Sequence, residues 1–276
     1  MNVFAIGASR NIGYYASVRL LEKGATVTFL LRSLSVFNED KVIQKFVEAG
    51  TARLVKGDAL NPDDVRKGWE ASQSAFPDGH VNLVLFTVGG TPSFSLTRGA
   101  VINPPNLCTK CLLTVLSTMP ASLREPAAQP RLVVVTSNGL TRSTHAALPI
   151  LLKPMYGYLL DGPHADKLAT ERVLAHCAGR AWTDEEPREG FLSADWQKQE
   201  GLPHPGELKH FAVIRPALLT DGASKAESAQ RPPYRVEEGM LKQAYRVSRK
   251  DVAHFLVESL LPDWTQWEGK FVCIAY

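Results

Sequence analysis

Six short apolar runs of strand length dominate this chain: residues 3–6, 25–31, 52–55, 81–88, 132–136 and 211–214. Between them lie stretches with apolar residues at helical spacing: residues 12–21, 40–48, 107–119 and 165–176. In residues 40–48, Val42, Ile43, Phe46 and Val47 share one face. Asn61 followed by Pro62 marks another helix start, with Asn61 as the cap and Pro62 in the first turn. The runs are apolar without polar alternation, so both faces of each strand are expected to be buried. Strands of that kind, alternating with helices, form a mostly parallel sheet covered by helices on both faces. Right-handed crossovers then give a doubly wound α/β fold. We expect a single domain over residues 1–276. Two stretches break the rhythm. Residues 178–210 are rich in Pro, Gly, Glu and Trp and are expected to form an insertion with a short helix at 194–199. Residues 222–233 are polar and predict a loop, with residues 222–245 placed on the substrate side of the sheet.

Composition narrows the function classes. Hydrophobic residues make up 45% and charged residues 21%, so a packed core is expected. The 31 basic and 28 acidic residues nearly balance, which argues against a nucleic-acid binder that works through a basic face. The longest apolar runs are strand-length, far short of a membrane helix, and no basic and apolar leader opens the chain. A cytoplasmic protein without a membrane partner is the expectation. Four cysteines do not make a disulfide framework. Cys108 and Cys111 form a lone C-x-x-C among Leu107, Leu112, Leu113 and Leu116. Two small core residues are the first expectation, a redox pair the alternative, and no metal site is expected.

The turn after the first strand is Gly7-Ala8-Ser9-Arg10-Asn11-Ile12-Gly13. It stands where backbone N–H groups at a helix N-terminus have no internal partner and the helix dipole favours anions. Gly7 permits a tight turn and Gly13 a close approach of helix to strand. The middle glycine of a dinucleotide fingerprint is absent, its possible positions being Arg10 and Asn11. The strand before and the helix after still predict pyrophosphate binding. Arg32 follows the second strand, where binders of NAD commonly carry an acidic residue. A guanidinium there can hold a 2′-phosphate, with Arg10 as a second clamp, so the expected cofactor is NADP(H). The alternative is a solvated surface arginine. Asp58 and Ala59, after the third strand, are placed to meet the adenine, with Asp58 as acceptor for the exocyclic amine or else as a turn residue. Val88, Gly89 and Gly90 follow the fourth strand, where small residues let the backbone approach a ligand.

Together these motifs resemble an atypical short-chain dehydrogenase/reductase. The chain is similar to the NAD(P)-binding group of flavin reductase (biliverdin-IXβ reductase) and the nitrogen-metabolite-repressor-like proteins. Gly7–Gly13, Leu31-Arg32-Ser33, residues 55–59, Val135-Thr136-Ser137, residues 214–221 and residues 247–253 carry the likeness. It extends over almost the whole chain apart from residues 178–210. The resemblance implies a Rossmann fold that binds NADP(H), with Ser137 and residues 215–220 flanking the nicotinamide and Pro216, Ala217 and Leu218 running past its carboxamide.

The catalytic position departs from the main family, which uses a serine with a tyrosine and a lysine four residues apart. By resemblance, Ser137 matches the serine and Lys167 the lysine, because Glu171 follows it as in many relatives. Lys167 is then also a ribose contact. The tyrosine position holds Pro163, which has no acidic proton. Tyr156, Tyr158 and His164 are the candidate donors nearby, with His164 expected to serve near neutral pH. Packing is the competing role for both tyrosines, and helix capping for His164. Lys153 is a further candidate or a surface lysine. Residues 91–96 are a candidate apolar pocket wall carrying Phe94. Residues 245–261 predict the last helix, with Ser248 and Asp251 as a capping box. Residues 272–275 predict an edge strand. The expected activity is NADPH-dependent hydride transfer to a small aromatic or conjugated acceptor. The alternative is an NADP(H)-binding redox sensor without catalysis; isomerase, epimerase or lyase use of the fold comes third.

Overall fold

The computed structural model describes residues 1–95, 99–148, 158–231 and 233–276. An eight-stranded sheet forms its centre. In chain order its strands are β1 (Asn2–Ile6), β2 (Thr26–Leu31), β3 (Ala52–Lys56), β4 (Leu83–Phe86), β7 (Arg131–Val135), β8 (Phe211–Pro216), β10 (Arg235–Glu238) and β12 (Phe271–Ala275). The spatial order is β3-β2-β1-β4-β7-β8-β12-β10, and only β10 runs antiparallel to its neighbour. Two small pairs lie outside it: β5 (Ser93–Ser95) with β6 (Gly99–Val101), and β9 (Leu218–Thr220) with β11 (Arg246–Ser248).

Helices cover both faces, as the double-sided apolarity of the strands requires. Val3 and Ala5 of β1 enter one core with α1 (Asn11–Glu22), α2 (Lys41–Glu48) and α7 (Arg249–Phe255). Phe4 and Ile6, on the opposite pleat, enter the other with α3 (Pro62–Gln73), α4 (Leu107–Ser117) and α6 (Asp161–Cys177). Two shorter helices among the described residues are α5 (Arg142–Ala146) and α8 (Trp264–Trp267). Asn61 caps α3 as expected, its side chain accepting from Asp63 N at 2.9 Å with Pro62 in the first turn.

Three local expectations are corrected. Residues 272–275 belong to an interior strand, because β10 covers its outer side. β10 escaped notice because three of its four side chains are exposed, so no apolar run marks it. Residues 222–245 are therefore not all loop, and the stretch at 224–226 is pinned. The buried Asp251 carboxylate accepts from Ser224 Oγ at 2.6 Å and from Lys225 N and Ala226 N at 3.1 Å. That engagement also halves the expected capping box. Ser248 Oγ caps Asp251 N at 3.0 Å, but Ser248 N donates to the Tyr276 hydroxyl instead of to Asp251. In the insertion, the short helix shrinks to a single 3₁₀ turn at Trp196–Lys198. Trp196, Leu202 and Leu208 nevertheless anchor the segment in the second core.

Candidate functional site

In a parallel sheet all strands end on the same edge, and the ends of β1, β2, β3, β4, β7 and β8 bring the expected site residues together there. The first turn has the geometry its sequence only partly announced. Gly7 has φ +76°, and a Cβ on it would stand 2.5 Å from Val88 N. A Cβ on Gly13 would meet Thr87 Oγ1 at 2.1 Å and Ala8 Cα at 2.8 Å. Asn11 occupies the left-handed region at φ 57°. Asparagine tolerates that region better than most residues, which is how the turn forms without its middle glycine. The side chains of Ala8 and Ile12 are buried, so these residues offer a ligand only backbone; Ser9, Arg10 and Asn11 face outward.

Several observations fit a dinucleotide. No side chain caps the first turn of α1, so its N–H groups are available to a pyrophosphate. A Cβ on Gly89 would meet nothing within 4 Å, leaving open space above the end of β4, whereas one on Gly90 would strike Ile102 at 2.3 Å. Arg32 is exposed and makes no hydrogen bond or ion pair among the described residues. Asp58 accepts from Leu60 N through Oδ1 at 2.9 Å, so its turn role uses one oxygen and leaves Oδ2 for an amine. Ala59 packs beside it on the second core. Arg10 Nη2 donates to Thr91 Oγ1 at 2.5 Å, across the mouth of the turn, so it must leave Thr91 to act as a phosphate clamp.

Pro216, Ala217 and Leu218 behave differently from one another. Pro216 O accepts from Asn138 N at 2.8 Å, which ties the end of β8 to the loop that bears Ser137. The Ala217 methyl is buried against Leu241 and Cys273, and its N–H bonds to Ile274 O at 3.0 Å. Its side chain therefore serves the fold rather than a ligand. Leu218 is partly exposed.

The catalytic candidates converge at the end of β7. Ser137 Oγ lies 3.4 Å from His164 Nε2. Lys167, one turn along α6 from His164, donates to Thr136 O at 2.9 Å. Pro163 sits in the first turn of α6, where its missing N–H is tolerated. His164 thus takes up the serine that a tyrosine at 163 would have met. Burial, then Lys167 and His145, push the His164 imidazole down to about 3. The expectation of a histidine that titrates near neutral pH is therefore corrected, because the ring is neutral throughout that range. Burial also lowers the Lys167 ammonium from its usual range. Tyr158 is 48% exposed, and a Cβ on Gly99 would meet its carbonyl at 2.2 Å. Tyr156, Lys153 and Leu96 lie outside the described residues. Phe94 is 76% exposed on β5.

Beneath this pair lies a buried charged network that only Glu171 foreshadowed. Glu171 Oε1 accepts from Thr136 Oγ1 at 2.7 Å and from Arg215 Nε at 2.9 Å, while Oε2 accepts from Arg215 Nη2 at 2.6 Å. Arg215 also stacks on Phe271, 4.8 Å from the ring centre. Next to Lys167, the buried Asp166 carboxylate accepts from Cys108 N at 2.7 Å and Thr109 N at 2.9 Å, capping α4 from another helix. Sequence spacing carries no signal for a cap 57 residues away. Cys108 and Cys111 are buried free thiols. Burial raises both, Cys111 to about 12, which removes the thiolate that redox chemistry needs. Among the described residues no helix is long and apolar enough to cross a membrane, and no group of three His, Cys, Asp or Glu could hold a metal.

Known structures share this arrangement of strands and helices. The anaerobilin reductase ChuY of Escherichia coli O157:H7 superposes with a TM-score of 0.58 at 16% identity, over 100% of this chain and 97% of that one. An alcohol dehydrogenase of Thermococcus sibiricus, solved with 5-hydroxy-NADP, gives 0.57 at 15% identity, over 94% and 89%. A short-chain dehydrogenase of Burkholderia cenocepacia J2315, in complex with NADP, gives 0.52 at 16% identity, over 93% and 89%.

The chain has a Rossmann-like α/β fold.

Among curated proteins, the reductase pytE of Aspergillus terreus is 25% identical over 246 residues, 86% of this chain and 84% of that protein. The oxidase pynE of Aspergillus niger is 31% identical over 186 residues, 59% of this chain and 62% of that protein. No family model matches the sequence. Homologues named reductase and oxidase, on a Rossmann fold, support an oxidoreductase.

Proposed function

We propose that this protein is an NADPH-dependent reductase that delivers a hydride and a proton to a small carbonyl or conjugated acceptor. The observation that carries the reading is the Ser137–His164 contact beside Lys167 at the coenzyme edge of the sheet. When bound, the reduced nicotinamide supplies the hydride. The α1 N-terminus would hold the pyrophosphate, Arg32 the 2′-phosphate, Asp58 the adenine amine and Lys167 the ribose hydroxyls.

The chain's own residues handle the proton. Ser137 Oγ donates its hydrogen to the acceptor oxygen as charge develops there. His164 Nε2–H replaces that hydrogen, and solvent restores the proton to the imidazole. The imidazole changes tautomer and never becomes a cation, which suits a ring held neutral by burial. Lys167 fixes the Thr136 carbonyl and so the serine beside it. Placing the acceptor against the hydride donor supplies much of the remaining rate.

A redox sensor would bind the same nucleotide, but it would have no use for a serine joined to a neutral imidazole. The test is incubation of the protein with NADPH and a panel of quinones and conjugated carbonyls, following loss of reduced-nicotinamide absorbance. Oxidation that needs both acceptor and protein is expected. Tight NADPH binding with no oxidation across the panel would favour the sensor.

A further inference from the structure

Three side chains on one face of α6 reach the end of β7. His164, Lys167 and Glu171 follow one another at helical spacing of three and four residues. His164 Nε2 lies 3.4 Å from Ser137 Oγ, Lys167 Nζ donates to Thr136 O at 2.9 Å, and Glu171 Oε1 accepts from Thr136 Oγ1 at 2.7 Å. The stripe deepens as it runs: His164 and Lys167 are half-buried, and Glu171 is fully buried. Two of its three contacts go to Thr136, the residue just before the serine. Thr136 N also donates to Ile214 O at 2.8 Å, so every polar group of Thr136 is engaged. On the other side of the serine, Asn138 N donates to Pro216 O at 2.8 Å. Ser137 is the one residue of 132–139 that is not buried.

The Thr136 hydroxyl is not needed to neutralise Glu171. Arg215 already meets both carboxylate oxygens, through Nε at 2.9 Å and Nη2 at 2.6 Å. The pair is itself anchored: Arg215 Nη1 donates to Gly239 O at 3.3 Å, and the guanidinium stacks on Phe271 of β12. A valine at 136 would fill nearly the same volume, and the ion pair would remain. A buried hydroxyl must be hydrogen-bonded to offset its desolvation, so a threonine there carries a cost that a valine avoids. What the hydroxyl adds is a short bond between a fixed ion pair and the backbone that bears Ser137.

We propose that Thr136 is a positioning residue: its hydroxyl bond to Glu171 holds Ser137 at the distance and angle at which it meets His164. The effect on rate rests on the reductase reading above; the effect on the Ser137–His164 contact does not. Thr136 touches neither coenzyme nor acceptor and acts only through Ser137. Without the hydroxyl bond, the segment keeps only its backbone ties to Ile214, Lys167 and Pro216. Ser137 then spends less time aligned with His164, and proton delivery to the acceptor slows.

Thr136→Val removes the hydroxyl and Thr136→Ser keeps it; both avoid the folding loss expected of a change at Glu171. The first readout needs no turnover. In protein labelled with nitrogen-15 histidine, the His164 ring nitrogens report their hydrogen bonds, and His164→Gln identifies their signals. Ser137→Ala is expected to shift these signals, Thr136→Val to shift them in the same direction, and Thr136→Ser to leave them in place. The second readout is NADPH oxidation with 1,2-naphthoquinone. Thr136→Val should lower kcat about tenfold, with the quinone KM and the affinity for NADPH unchanged, and Thr136→Ser should retain the wild-type rate. In a Ser137→Ala background, Thr136→Val should cost nothing further, because it acts through the serine. Unmoved ring signals in Thr136→Val, or a full additional loss of rate in the Ser137→Ala background, overturn the positioning role and leave the reductase reading intact. If wild-type protein binds NADPH but oxidises it with no quinone or conjugated carbonyl, while the ring signals move as expected, the reductase reading falls and the positioning of Ser137 by Thr136 stands.

Discussion

Replacing His164 by Gln should make the coenzyme-free protein less sensitive to acid. In the unfolded chain an imidazole titrates near 6.5; in the fold, burial together with Lys167 and His145 brings His164 to about 3. Below pH 6.5 the unfolded chain therefore takes up a proton that the folded chain refuses. The stability associated with a neutral His164 is complete above that pH and is lost as pH falls toward 3. Each pH unit in this window is worth about 1.4 kcal/mol. Between pH 7 and pH 5 the loss comes to about 1–2 kcal/mol, the upper value holding if no water reaches the ring. Urea unfolding at pH 7 and pH 5 measures it, with midpoint and slope compared for wild-type and variant. Other groups titrate in the same range, but their contributions cancel when the two proteins are compared. The pH 7-to-5 loss should be smaller in the variant by about 1–2 kcal/mol. An identical loss in both would show that His164 is solvated and ordinary. It would also remove the physical basis for a proton path that avoids a cationic imidazole.

Three further outcomes follow from the same geometry. Ser137→Ala should lower turnover by about 10²-fold or more while leaving the urea midpoint unchanged, since among the described residues the hydroxyl bonds only to His164, at 3.4 Å. Gly7→Ala should cost at least about 1–2 kcal/mol from its positive φ alone. It should also abolish nucleotide binding in a fluorescence titration, because its Cβ would fall 2.5 Å from Val88 N. Glu171→Gln should destabilise the fold by about 3–5 kcal/mol, seen as a lower unfolding midpoint, because it leaves the Arg215 guanidinium buried without its carboxylate.

The parts of this structure that could be anticipated are those governed by local patterning. β1 shows the reason: Val3 and Ala5 face one core while Phe4 and Ile6 face the other, so the run is apolar throughout and marks a covered parallel strand. The first turn was also legible, since Gly7 and Gly13 are needed where backbone or strand approaches closely. What stayed hidden depends on distant partners. β10 has mostly exposed side chains and is defined by backbone pairing to β12. Asp251 looked like half of a local capping box, but its carboxylate is used 25 to 27 residues away. Ser137 and His164 are each candidates from the sequence, but the contact that joins the end of β7 to the start of α6 has no spacing signal. Residues 184–188 are held by ion pairs to α5 and α6 that no spacing rule predicts.

The central claim is that this Rossmann edge is built for NADPH, and one titration addresses it. Wild-type and Arg32→Ala proteins are titrated with NADPH and NADH, following nucleotide fluorescence at low and moderate salt. The account predicts that wild-type binds NADPH more tightly than NADH. It predicts that Arg32→Ala weakens NADPH by about 1.5–3 kcal/mol, the worth of hydrogen bonds to a charged group, while NADH changes little. Equal affinity of wild-type for the two nucleotides, or equal weakening of both in the variant, would contradict it and leave Arg32 an ordinary solvated side chain.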